Sequence, residues 1–111
     1  MRAFVVAVLL FTAGTAFAEE RVLDLAIHAG APPAKPQLLS VLQNDRVVVR
    51  LTSDKPVEVH LHGYDIETEV APGRVTSMRF TATATGRFPI EIHSHDARRQ
   101  GPLAYLEVQP R

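Results

Sequence analysis

After its first eighteen residues the chain repeats one signal. Apolar side chains recur at every second position over short runs, and each run is closed by glycine, proline or an Asn/Asp turn. RVLDLAIH (residues 21–28) sets Leu23, Leu25 and Ile27 against Val22, Asp24, Ala26 and His28. VEVHLH (57–62) sets Val57, Val59 and Leu61 against Glu58, His60 and His62. VTSMRFTA (75–82) separates Thr76, Met78, Phe80 and Ala82 from Val75, Ser77, Arg79 and Thr81. A β-branched run spans 47–52, FPIEI (88–92) follows the turn at Gly86, and LAYLEVQP (103–110) closes the chain. A period of two belongs to strands with one buried face. YDIETEV (64–70) reads as a strand or strand-like loop ended by Ala-Pro-Gly at 71–73, and the proline-rich stretch 29–37 as an extended loop. Helical periodicity is lacking; 38–42 reads as a single helical turn at most. Strands spaced at about 8–12 residues, with turn chemistry between them, predict an all-β antiparallel sandwich or small barrel.

The first eighteen residues follow a different logic. MRAFVVAVLLFTAGTAFA has a basic Arg2, an apolar run from 3 to 11, and Ala16-Phe17-Ala18 at its end. That is the pattern of a secretory signal peptide cleaved after Ala18. The apolar run falls short of the roughly 20 residues a membrane span needs, and no cysteine follows Ala18 to carry a lipid. The expectation is a signal peptide at 1–18 and one domain at 19–111, periplasmic or secreted, with no membrane span in the mature chain.

Composition narrows the chemistry. Twelve Lys/Arg balance twelve Asp/Glu, which gives no basis for a nucleic-acid partner. There is no cysteine. A small exported domain without disulfides must rely on its core or on a bound metal, and thiolate or iron–sulfur chemistry is excluded.

The chain has five histidines, and four of them form two His-x-His pairs: His60 with His62, and His93 with His95. Residues i and i+2 of a strand share a face, so each pair projects together, in the polar phase opposite Val57/Val59/Leu61 or Phe88/Ile90/Ile92. If the two strand ends meet at one end of the sandwich, four imidazoles converge. Such a nitrogen-rich site suits copper(II), zinc or nickel rather than magnesium or calcium. The competing reading is four solvated surface histidines. His28, alone on the first strand, reads as a surface residue. Asp65, Glu91 and Asp96 lie near enough in sequence to accept hydrogen bonds from ligating rings. Ser94 sits between two histidines but faces away from both, so no catalytic nucleophile–base pair is expected. Arg98 and Arg99 read as part of an exposed loop.

These residues resemble the cupredoxins over nearly all of 19–111. LLSVLQNDRVVVRLTSDKPVEVHLHGYDI is similar to the family's turn, β-branched strand and strand ending in a metal-binding histidine. VAPGRVTSMRFTATATGRFPIEIHSH is similar to its Pro-Gly turn, alternating strand and Gly-x-aromatic approach to the ligand loop. The resemblance implies a Greek-key β-sandwich of about seven strands. It puts His62 at the first ligand histidine, Phe88 at the aromatic, Ile92 at the blue-copper cysteine and His95 at the second ligand histidine. No methionine follows, and Gln100 lies at about the axial-ligand distance. His60 and His93 are additions to the pattern and would complete a four-nitrogen set.

The function expected from this resemblance is a non-blue copper-binding protein with His60, His62, His93 and His95 as ligands. It would hold or deliver copper, or support a redox or metal-uptake system, beside a periplasmic or membrane-protein partner. Its Cu(II) complex would be nearly colourless, and its affinity would fall below about pH 6, where imidazole protonates. One alternative is a degenerate cupredoxin-like domain that binds no metal and serves as a protein-interaction module. A more distant one is a cupin-like metalloenzyme, in which His60, His62, Glu67 and His93 resemble the cupin ligand set.

Overall fold

The computed structural model of the protein describes residues 3–7, 19–94 and 96–111. Residues 3–7 are exposed and belong to no strand or helix; the rest of the predicted signal peptide, and His95, lie outside the described residues. Eight strands follow in order: β1 Glu20–Ile27, β2 Gln37–Leu42, β3 Arg46–Ser53, β4 Val57–Leu61, β5 Ile66–Val70, β6 Thr76–Thr81, β7 Gly86–His93 and β8 Gly101–Gln109. A short 3₁₀ turn, Ala97–Arg99, stands between β7 and β8. The all-β expectation holds, and the architecture is a sandwich. One sheet has the order β1-β3-β6 and the other β2-β8-β7-β4-β5.

Two expectations need correction. The stretch 38–42 is no helical turn but the body of β2, one of the eight strands. A short apolar run such as LLSVL has no period that separates strand from helix; its pairing along β8, Leu39 with Leu106 and Val41 with Val108, decides. Nor is every pairing antiparallel: β1 runs parallel to β3, and β2 parallel to β8. The cause is the turn at 43–45. It joins β2 in one sheet to β3 in the other, so β3 returns alongside β1 in the same direction.

The alternating residues close the core. Leu25 and Ile27 of β1, Val49 and Leu51 of β3, and Met78 of β6 pack against Val59 and Leu61 of β4, Ile90 and Ile92 of β7, and Leu106 and Val108 of β8. Val49, Leu51, Val59, Leu61, Ile90, Ile92 and Leu106 are all 0% exposed. The register of β7 on β8 shifts at Ile90/Glu91, where a bulge lets both Leu103 and Ala104 turn inward. The opposite phase of β4, β5 and β7 is left to form the outer face of the five-stranded sheet.

Candidate metal centre

β4 and β7 are antiparallel neighbours, pairing Glu58 with His93, Val59 with Ile92, His60 with Glu91 and Leu61 with Ile90. β5 extends two of these rows, placing Glu69 opposite Glu58 and Glu67 opposite His60. Directly opposed residues share a face. With Val59, Leu61, Ile90 and Ile92 in the core, the outer face therefore carries two rows, Glu69–Glu58–His93 and Glu67–His60–Glu91. His62 adds a third position one residue past β4, where its N–H donates to the Pro89 carbonyl at 3.0 Å and prolongs the ladder.

Three imidazoles converge here. The His60 ring centroid is 4.1 Å from that of His62 and 4.9 Å from that of His93, and His62 and His93 are 5.9 Å apart. One nitrogen from each ring falls in a group whose members all lie within 4.8 Å of one another. Nitrogens bound to one ion at about 2.0–2.1 Å are at most about 4 Å apart, so modest ring rotations bring all three onto a single metal. Their surroundings fit that use. His62 Nε2 is 3.1 Å from Glu91 Oε2; a neutral ring donating there keeps a lone pair on Nδ1. His93 Nδ1 faces Glu58 Oε1 at 3.9 Å. His60 Nδ1 is buried and has no hydrogen-bond partner among the described residues. Such an orphaned atom costs on the order of 1–3 kcal/mol, which a bound ion offsets.

The turn after His62 is fixed by packing. Gly63 has φ +84°, and a Cβ there would lie 2.3 Å from Phe88 Cδ1, so only glycine lets this turn close over the Phe88 ring. Phe88 meets Tyr64 edge-on at 5.1 Å. The Tyr64 hydroxyl donates to the Ala84 carbonyl at 2.7 Å and accepts the Ala84 N–H at 3.1 Å. Burial pushes the Tyr64 phenol above its ordinary range, against the opposing hydrogen bond to Ala84. His62 is thereby held on a backbone braced by two aromatic rings.

The histidines do not meet at a pole of the sandwich. Because β4 and β7 are antiparallel, their last residues point to opposite ends, and His60, His62 and His93 gather across the face of the ladder. Ile92, at the position the resemblance gives to a cysteine, is 0% exposed and points between the sheets. The imidazoles thus do not fill the place of a lost thiolate. His28 is exposed, forms an isolated bridge with Ala31, and has no part in the cluster of His60, His62 and His93. Of the three carboxylates expected near the site, Glu91 alone reaches a ring among the described residues. Asp96 instead pairs with Arg98 and Arg99 at 3.5 and 3.7 Å, and Asp65 occupies the turn with φ 52°. Ser94 accepts the Asp96 N–H at 3.1 Å, and Gln100 is exposed. Glu58, missed from sequence as a partner, was visible as the polar-phase residue two before His60. Glu67 lies on the histidine face because the β4–β5 hairpin folds it back, not in the opposite phase that counting along one strand implies. It groups with Glu58 and His93 rather than with His60 and His62.

No protein-family model and no curated protein matches the sequence. Solved structures do match it in fold. A chain from the cryo-EM structure of a heme-copper terminal oxidase dimer aligns over 96% of this chain and 78% of its own, with 19% identity and a TM-score of 0.66. A multi-copper oxidase from Pseudomonas thermotolerans aligns over 86% of this chain with 22% identity and a TM-score of 0.68. This chain spans about a third of that oxidase, 31% of its length. The periplasmic domain of subunit II of cytochrome oxidase (CoxB) of Bradyrhizobium japonicum aligns over 80% of this chain and 83% of its own, with 13% identity and a TM-score of 0.60. The fold is that of a cupredoxin-like β-sandwich. Among the described residues, no helix is long and apolar enough to cross a membrane.

Proposed function

We propose that this protein is an exported copper-binding domain that holds or delivers copper, a binding protein rather than an enzyme. The observation that carries the reading is the convergence of His60, His62 and His93, with a buried His60 nitrogen that has no partner among the described residues. Three imidazoles suit copper(II), zinc and nickel, and among divalent ions copper(II) binds such donors most tightly. His95 follows His93 at the i+2 spacing and is the fourth ligand of this proposal. Bound copper would supply a redox-capable ion without a thiolate. The protein's own part is to orient the rings: Glu91 fixes the hydrogen-bonding nitrogen of His62, Glu58 faces His93, and Gly63 sets the turn. Export is inferred from the Arg2, apolar-run and Ala16-Phe17-Ala18 pattern. The likeness to a periplasmic oxidase domain is consistent with it, and a membrane oxidase is the kind of partner this reading suggests.

A second reading rests on a specific observation. Glu91 and Glu58 face His62 and His93, and ion pairs of this kind also suit an interaction module that binds no metal. A Cu(II) titration of the full chain, followed by EPR and thermal melting, separates the two. One nearly colourless, nitrogen-rich copper per chain with a raised melting temperature is expected. Unchanged copper binding in a His62→Ala/His93→Ala protein would refute the ligand assignment, and no saturable binding at all would favour the module.

A further inference from the structure

We propose that removal of the leader after Ala18 converts the Glu19 nitrogen into an α-ammonium that pairs with the buried Asp45 carboxylate, so that cleavage itself strengthens the fold. In the uncleaved chain this nitrogen is an amide, and its N–H already donates to Asp45 Oδ1 at 3.3 Å. Its place is fixed from the other side as well. The Arg46 N–H donates to the Glu19 carbonyl at 3.0 Å, continuing the pairing of β1 with β3. Asp45 is 0% exposed. Burial alone would raise its carboxyl, but the Leu42 and Glu19 N–H groups and Arg111 hold it below its ordinary value, so it is charged at neutral pH. Glu19 itself is exposed. An ammonium there keeps water on its other hydrogens, and little desolvation opposes the pair.

Hydrolysis of the Ala18–Glu19 bond consumes one water. The Ala18 carbonyl carbon takes the hydroxyl and the Glu19 nitrogen the hydrogen. The new acid then gives its proton to the new amine, leaving a carboxylate on the leader and an ammonium on the domain. One neutral donor becomes a charged one at the same place, and charge-assisted hydrogen bonds are roughly twice as strong as neutral ones. The charged groups facing this ammonium are Asp45, Arg111 and Arg21. Arg111 binds the same Oδ1; Arg21 is 3.6 Å from Oδ2 and 3.2 Å from the Glu19 side chain. The two guanidinium groups oppose the ammonium, and the Glu19 carboxylate offsets part of that, so the gain is modest. The cleavage step rests on the export reading above; the pairing needs only a chain that begins at Glu19.

All eight strands lie within 20–109, so a chain of residues 19–111 holds the whole sandwich. The test compares urea unfolding of that chain with a free Glu19 amine and with the same amine acetylated. The free amine is expected to lower the unfolding equilibrium constant about fivefold, and in Asp45→Asn the two forms are expected to unfold alike. An ammonium stabilised in the folded state has a raised value there. Its contribution should therefore be fully present below the ordinary α-amino value of about 7.7–8.0, and be lost as the pH rises through the higher folded value. If Asp45→Asn does not fold, NMR titration of the α-amino group in the unsubstituted chain decides: a raised value supports the pair and an ordinary one overturns it. Equal unfolding of the free and acetylated forms, or a difference that persists in Asp45→Asn, also overturns it. Mass spectrometry of the exported protein judges the cleavage step separately. A chain beginning at Glu19 is expected, and any other start overturns that step while the pairing stands or falls on the unfolding comparison.

Discussion

Two polar clusters in this sandwich obey opposite rules. Asp45, in the turn between β2 and β3, is 0% exposed, and its polar groups are well supplied with partners. Its carboxylate accepts the Leu42 N–H at 3.0 Å, the Glu19 N–H at 3.3 Å and the Arg111 guanidinium, with Arg21 at 3.6 Å. Its own N–H donates to the Leu42 carbonyl and its carbonyl accepts the Ala82 N–H. The histidine face is half-exposed and, among the described residues, leaves His60 Nδ1 without a partner. The contrast is physical. A buried charge is tolerated when it is fully hydrogen-bonded, and such a cluster ties β1, the β2–β3 turn and the C-terminus into one unit. An incompletely satisfied cluster near solvent adds little to the fold and remains available to a ligand.

The comparison makes graded predictions. Asp45→Ala strands two backbone N–H groups and the Arg111 guanidinium, and should lower stability in urea unfolding by roughly 3 kcal/mol, with copper binding by the surviving folded protein unchanged. Gly63→Ala must both adopt φ +84° and displace the Phe88 ring; a loss of about 2 kcal/mol is expected, together with weaker copper binding because His62 moves. Glu91→Ala frees the His62 ring and should weaken copper about tenfold or more while hardly changing the melting temperature of the metal-free protein. His60→Leu removes the orphaned nitrogen. The metal-free protein should be stabilised by about 1–3 kcal/mol, the cost of the orphaned atom, while the copper-induced rise in melting temperature disappears. If His60→Leu instead unfolded the protein, the histidine face would be structural and the contrast with Asp45 would collapse.

A pH series sharpens the same contrast. Burial alone would raise the Asp45 carboxyl, but the Leu42 and Glu19 N–H groups and Arg111 outweigh it and hold it below its ordinary value. A carboxyl depressed in the folded state contributes stability that is fully present above its unfolded value, about 3.9. That contribution is lost as the pH falls through the lower native value. Melting of the metal-free protein should therefore show an acid limb below about pH 4–5, and Asp45→Asn should flatten it.

Much of this was legible in the sequence. The alternation of Val57, Val59 and Leu61 with Glu58, His60 and His62 placed the histidines on the polar phase, and the core side of each strand followed. β2 was not legible, because LLSVL carries no distinguishing period and only β8 gives it a partner. The shape of the site was also misjudged. Counting positions along single strands put the histidines at a pole and Glu67 on the wrong face.

The sequence by itself determined which side chains face water and which face the core, because strand periodicity is a local property of the backbone. It also supplied the imidazole pairs, the glycine their turn requires and the absence of any thiolate. Only the tertiary structure decided which of those side chains meet. Contacts across strands depend on direction and register, and these are set by partners distant in the chain: β7 running against β4 brings His93 to His60, and β5 folding back brings Glu67 beside Glu58.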